Sequence, residues 1–115
     1  MKNTPNQAMQ YTPNITTEDV ERILKREFTE DLHSEIRSLI NGVTVHERLR
    51  IIIACFKNAN KDFTKLANEL ENANGYWRET ISDAEYPKIK KASNLTEYEI
   101  NKKMKNQYLE WLNKS

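Results

Sequence analysis

Apolar residues recur along this chain at spacings of three and four positions, which place them on one face of an α-helix. Two such stripes come first, Val20, Ile23, Leu24 and Phe28, then Leu32, Ile36, Leu39 and Ile40. Only two glycines and three prolines occur, which is too few for the many turns of an all-β design. The pattern therefore predicts an all-α fold, a compact orthogonal bundle of roughly five to six short helices.

A third apolar stripe is broader than the first two and predicts the central helix of the bundle. Its main positions are Leu49, Ile52, Ile53 and Phe56, and its flanks are widened by Ile51, Ala54, Cys55 and Ala59. A helix that is apolar over most of its circumference is normally buried. We therefore expect the core of the protein to form around this segment.

The second half of the chain predicts three further helices. One spans about Asn60 to Asn74, where Asn74-Gly75 predicts a break in the helix. A short helix then runs through Trp77 and ends before Pro87. The last helix follows residue 95, with an apolar face made of Ile100, Met104, Tyr108, Trp111 and Leu112.

Residue types at the helix boundaries predict where several helices begin and end. Thr16 is placed to cap the first helix, with Asp19 at its third position, and Thr29 or Asp31 is placed to cap the second helix. Gly42 is placed to end that helix in the left-handed conformation. Thr44 with Glu47 and Thr96 with Glu99 have the spacing of a capping box.

Residues 1–14 are polar, contain two prolines and have no helical period, so they predict a flexible N-terminal arm before a single helical domain at 15–115. Cys55 is the only cysteine, which excludes an intrachain disulfide and favours a reducing compartment. The N-terminus lacks the apolar segment of a signal peptide, and the apolar run at 51–56 is too short to span a bilayer. A cytoplasmic location is the expectation.

Charge is balanced overall and uneven along the chain. The net charge is +1, from 18 basic and 17 acidic residues, so no global field favours nucleic acid or a membrane. Residues 15–43 nevertheless carry seven acidic and four basic groups, whereas residues 88–115 carry three acidic and seven basic groups. This asymmetry suits self-association or a charged partner.

The segment from Glu47 to Pro87 resembles a group of small, functionally uncharacterised bacterial helical proteins. The residues that carry the resemblance are Glu47, Arg48, Ala54, Lys57, Ala59, Asp62, Lys65-Leu66, Ala73, Arg78 and Ala84-Glu85-Tyr86-Pro87. The chain departs from the group where Lys61 replaces a glycine, Tyr76-Trp77 replaces Asp-Tyr and Glu79 replaces an aspartate. The resemblance implies a helical fold and a bacterial cytoplasm, and it implies no activity.

No set of residues has the spacing of a known catalytic or metal site. His33 and His46 are isolated and are expected to be exposed or locally hydrogen-bonded, with no metal role. Cys55 lies in an apolar helix, where a thiol is usually buried and inert. The carboxylates fall mostly in first turns, and Gly42 and Gly75 are too isolated for a phosphate-binding loop. We expect no catalytic residues and no cofactor.

Two groups of residues remain as a candidate binding surface: Tyr76, Trp77 and Arg78, and Lys102, Lys103 and Lys105 with Tyr108 and Trp111. For Arg78 the favoured role is structural, stacked on an aromatic ring and paired with Glu47, Asp62, Asp83 or Glu85. The alternative role is the capture of an anionic partner. The lysines and aromatic residues of the second group could hold phosphates and stack on bases.

These observations favour a non-enzymatic protein-interaction module of the bacterial cytoplasm, of which an immunity protein is one version. Tyr and Trp are preferred anchors in protein interfaces, and the chain has more of them than a small core readily encloses. The partner would be another protein or a second copy of the chain. The alternative hypothesis is a small nucleic-acid-binding adaptor that uses the basic last helix, and membrane binding is not expected.

Overall fold

A computed structural model describes residues 14–85 and 97–114, and regular structure in these residues is entirely helical. Its helices are α1 (Thr17–Glu27), α2 (Glu30–Asn41), α3 (Arg48–Ala59), α4 (Phe63–Glu85) and α5 (Glu97–Asn113). The all-α fold is thereby confirmed. Residues 1–13 of the predicted arm (1–14), the predicted end of a helix at Pro87 and the predicted cap at Thr96 lie outside the described residues.

Helix α3 is the centre of the bundle, as its broad apolar stripe predicts. Six consecutive residues, 51–56, have no exposed surface, and α3 packs against both α4 and α1. The stripes of α1 and α2 supply further core residues, including Phe28, whose ring centroid lies 6.0 Å from that of Phe56. Truncation of a buried isoleucine such as Ile52 to alanine costs about 2–5 kcal/mol in cores of this kind.

Helix α1 begins with the predicted cap at Thr16, and the structure shows that Asp19 completes a capping box. The Asp19 N–H donates to the Thr16 hydroxyl at 3.2 Å, and the Thr16 N–H donates to the Asp19 carboxylate at 2.9 Å. Helix α2 begins where expected after Thr29. No side chain caps its first turn, because the Thr29 hydroxyl donates to the Asp31 carboxylate.

The loop between α2 and α3 differs from the prediction at both ends. Gly42 is not left-handed but has right-handed angles (φ −78°, ψ −11°), because the Arg48 guanidinium donates to the Ile40 and Val43 carbonyls and satisfies the end of α2. The capping box at Thr44 does not form, and α3 begins four residues later. Asn74 on α4 accepts the Thr44 N–H at 2.9 Å and thereby holds this segment out of the helix.

The interruption predicted at Asn74-Gly75 is confirmed one residue later, as a kink within α4. Tyr76 leaves helical geometry there, with φ −120° and ψ 33°, and helical structure then continues to Glu85. The Asn74 amide, just before the kink, donates to the Gly42 carbonyl of the α2–α3 loop at 2.9 Å. The kink gives the second half of α4 a different direction and leaves Tyr76 at the surface.

Helix α5 is fastened to α1 through its C-terminal carbonyl groups. Arg22 donates to the Leu112 carbonyl at 2.8 Å, and Arg26 donates to the Trp111 and Lys114 carbonyls at 2.8 and 2.6 Å. Two cationic groups at a helix C-terminus also complement the helix dipole. We call Arg22 and Arg26, with the carbonyl groups that they bind, the α5 clamp.

Candidate binding surface at the kink of helix α4

The cysteine and the two histidines, which could take part in covalent or metal chemistry, each have different neighbours in the structure. Cys55 is fully buried, and burial raises the pKa of its thiol far above the ordinary value. His33 is buried with Nε2 2.8 Å from the Phe28 carbonyl, and His46 is exposed with its ring against Trp77. Within residues 14–85 and 97–114 no three His, Cys, Asp or Glu side chains are grouped as metal ligands.

The two aromatic residues predicted beside the lysines of α5 pack inward. Tyr108 is 3% exposed, and burial raises the pKa of its hydroxyl. Trp111 is half-buried, with the Arg26 guanidinium 4.9 Å and the Lys57 ammonium 5.9 Å from its ring centroid. These rings contribute to the core and to the α5 clamp and do not form a surface platform.

Two of the three lysines predicted on α5 are exposed, unlike Tyr108 and Trp111. Lys102 and Lys103 are exposed, and Lys105 is partly buried. Tyr108 and Trp111 lie toward the opposite, C-terminal half of the helix, where they contact the body. The described part of the chain therefore offers lysine charge on α5 without an aromatic face for base stacking.

Tyr76, Trp77 and Arg78 lie together at the kink of α4, and we call them the kink surface. Tyr76 is 61% exposed, and no other large hydrophobic side chain among the described residues is classed as exposed. Trp77 is half-buried and meets the edge of His46 with ring centroids 5.4 Å apart. The guanidinium of Arg78 also lies over the Trp77 ring, 5.0 Å from its centroid. The three side chains form a mixed aromatic and cationic surface.

The predicted stacking of Arg78 is confirmed, whereas the predicted ion pair is wrong. Glu85 is held by Arg50 through two hydrogen bonds of 2.7 and 2.8 Å. Glu47 also accepts from Arg50, at 3.2 Å. The largely buried Arg50–Glu85 pair raises the pKa of Arg50. Glu47 and Glu85 are thus occupied by Arg50, and Arg78 has no ion pair among the residues that the structure describes.

A small groove of about 210 Å³ runs along α4 beside Tyr76, and sequence reasoning missed it. It is lined by Asn68, Glu69, Asn72, Tyr76, Glu79, Thr80 and Asp83. We call it the acidic groove, because three of its lining residues are carboxylates and none is basic. Its signal in the sequence is the recurrence of polar residues at helical spacing on the face opposite the core. That signal is shared by any solvated helix face, which is why only the structure distinguishes the groove.

Comparison with known proteins yields no match for this chain among family models, curated proteins or solved structures. Among the described residues, no helix is both long enough and apolar enough to cross a membrane.

Proposed function

We propose that this chain is a non-enzymatic protein-interaction module of the bacterial cytoplasm and that its partner binds the kink surface. The observation that carries the proposal is the exposure of Tyr76 at a kink, next to Trp77 and Arg78. Tyr, Trp and Arg are the residue types that most often dominate binding energy in protein interfaces. The lone cysteine and the resemblance at residues 47–87 support the compartment and the bacterial origin.

The placement of the other aromatic residues strengthens this choice of surface. Tyr108 and Trp111 pack against the body of the molecule, so among the described residues Tyr76 and Trp77 are the aromatic side chains left for an interface. Tyr76 has no packing role comparable to theirs. A toxin-neutralising immunity protein is one version of such a module, since its activity consists of binding alone.

The proposal is tested by placing a photo-crosslinking amino acid at Arg78 in the native host, with a matched probe at exposed Glu35 of α2 as control. We expect one protein to be captured from the kink surface and not from α2. The purified partner should then bind Tyr76→Ala at least about tenfold more weakly than wild type, a loss of roughly 1.4 kcal/mol or more. Equal affinity of the variant and wild type would refute the assignment of the surface.

The alternative function is nucleic-acid binding through α5, and the exposure of Lys102 and Lys103 favours it. Lysine contacts to phosphate give affinity that falls steeply with salt. A mobility-shift titration at low salt checks this alternative, with Lys102→Glu/Lys103→Glu as the variant. Absence of a shift at low salt removes the alternative and leaves the protein-binding proposal untouched.

A further inference from the structure

We infer that the acidic groove receives an arginine side chain of the protein partner. The inference rests on the proposed function and adds to it the chemistry of the partner's anchoring residue. At about 210 Å³ the groove is smaller than the roughly 300–1,000 Å³ typical of small-molecule sites. Its size suits one long side chain better than a metabolite or cofactor.

The charges of the groove select a cation. Glu79 and Asp83 are four positions apart on α4, and neither has a hydrogen bond or ion pair in the described part of the chain. Glu69, the third carboxylate, accepts a hydrogen bond from Asn58 at 3.1 Å. Helix α4 as a whole carries five acidic and two basic residues. A partner that brings a positive charge to this face meets unpaired carboxylates and no competing cation in the groove.

The ring of Tyr76 favours arginine over lysine as that cation. A guanidinium is planar, stacks on aromatic faces and can bind carboxylates through two parallel hydrogen bonds, whereas an ammonium is a compact, strongly hydrated charge. The exposed ring of Tyr76 lines the groove next to the carboxylates. This protein already stacks arginine on an aromatic ring twice, at Trp111 and at Trp77.

An amide completes the acceptor set. The Asn72 Nδ2 group donates to the Asn68 carbonyl at 2.9 Å, which orients the Asn72 side chain along the groove wall. The Asn72 amide oxygen has no donor within residues 14–85 and 97–114, so it can accept from an incoming guanidinium. Arginine has five N–H donors, and two carboxylates with an amide oxygen supply acceptors for them.

The larger groove between α1 and α2 is a poorer candidate. It measures about 790 Å³ and is lined by both charge types, with Lys25 and Arg37 facing Glu27 and Glu30. Three of its charged side chains are already paired, Arg26 with Glu27 inside the groove and Arg37 with Glu21 outside it. An incoming ion of either sign would be repelled by a side chain of the same charge, so this groove does not specify the sign of a partner's charge.

The inference is tested by NMR titration of the ¹⁵N-labelled full chain with N-acetyl-arginine methylamide. The comparison probes are the corresponding lysine compound and citrulline compound, the latter matching arginine in shape without the charge. We expect saturable shifts centred on Asn72, Tyr76 and Asp83 with arginine, at least about threefold weaker binding of lysine and none of citrulline. Absence of saturation with arginine, equal binding of citrulline, or shifts spread over the acidic residues of α1 and α2 would overturn the inference.

Matched variants separate the groove from general acidity. Glu79→Gln/Asp83→Asn should weaken arginine binding at least about tenfold, and Tyr76→Leu at least about threefold, if carboxylates and ring both contribute. Glu71→Gln is the control, because Glu71 is exposed on the same helix and lies outside the groove. An equal loss in Glu71→Gln would mean that diffuse charge attracts the probe, and the inference would fail.

The two proposals fail in different ways. If arginine does not bind but Tyr76→Ala still weakens the captured partner, only the arginine assignment is wrong. If arginine binds in the groove but crosslinking at Arg78 captures no partner, the proposed function is wrong and the groove remains an arginine site.

Discussion

The protein contains two pairs of tryptophan and arginine with nearly the same local geometry and very different surroundings. Arg26 lies 4.9 Å from the ring centroid of Trp111, and Arg78 lies 5.0 Å from that of Trp77. The Arg26 side chain is 11% exposed and binds Glu27 and two carbonyl groups of α5. Arg78 is exposed and has no such acceptors among the described residues.

The difference shows that stacking alone does not give these pairs their role. A cation over an aromatic ring contributes about 0.5–1 kcal/mol to stability at an exposed site. Because the two distances are nearly equal, this contribution is similar for both pairs before burial is considered. What distinguishes Arg26 is the set of acceptors that α1 and α5 bring to it. The first pair therefore fastens a helix, whereas the second remains available to a partner.

The largest expected effect comes from Arg26→Ala. The substitution leaves the Glu27 carboxylate, 4% exposed, without its cation and frees the carbonyl groups of α5. Removal of one partner from a buried ion pair costs about 3–5 kcal/mol, so we expect a loss of about 3 kcal/mol in urea unfolding. Arg37→Ala is the control, because its pair with Glu21 is largely exposed and is worth less than about 1 kcal/mol. Equal losses in the two variants would remove the distinction between clamp and surface.

A smaller effect is expected at Asp19, which supports the clamp by binding Arg22 at 3.1 Å while it caps α1. Asp19→Ala should cost about 1–2 kcal/mol. Glu18→Ala, in the same first turn, is the control and should cost less, since within the described residues its carboxylate has no hydrogen-bonded partner.

The contribution of Asp19 should depend on pH in a defined direction. Its backbone hydrogen bond with Thr16, aided by Arg22, holds the pKa of Asp19 below the ordinary value. A lowered carboxyl pKa stabilises the fold above the unfolded pKa, near pH 4, and that stability is lost as the pH falls through the folded pKa. The difference in unfolding free energy between wild type and Asp19→Ala should therefore shrink as the pH falls below about 4. A gap that widens on acidification would contradict this account.

Next to the kink of α4, Gly75→Ala should stabilise the protein. A Cβ atom at this position meets nothing within 4 Å, and alanine is favoured over glycine inside helices by about 0.5–1 kcal/mol. Thermal unfolding should show a rise of a few degrees. A fall in melting temperature would mean that the kink at Tyr76 needs the conformational freedom of glycine.

The smallest effect on stability is expected for Arg78→Ala, at about 0.5 kcal/mol, because only its stacking on Trp77 is lost. The same variant should weaken binding of the captured partner by about tenfold if the kink surface is the interface. A loss of stability near that of Arg26→Ala would show that Arg78 has a structural role. Urea unfolding and binding measurements on one preparation check both expectations.

Two similar sequence signals show what a local pattern can and cannot predict. Thr16 with Asp19 and Thr44 with Glu47 each place a capping residue three positions before a carboxylate, but only the first pair forms a capping box. At the second site the Thr44 N–H is bound by Asn74, and the Glu47 side chain is bound by Arg50. The competing groups come from distant or unpredicted positions, so no local pattern reveals them. The same reason accounts for the right-handed Gly42.

The sequence by itself determined the helical class, the apolar stripes of α1 to α3 and the central position of the segment around Ile52, because burial of apolar faces follows directly from residue spacing. It also indicated Tyr76, Trp77 and Arg78 as residues of interest. Only the tertiary structure decided that Tyr108 and Trp111 face inward, and that Arg26 is a clamp while Arg78 is exposed. Those outcomes depend on which acceptors and carboxylates other helices bring within hydrogen-bonding distance, and a one-dimensional pattern does not contain those distances.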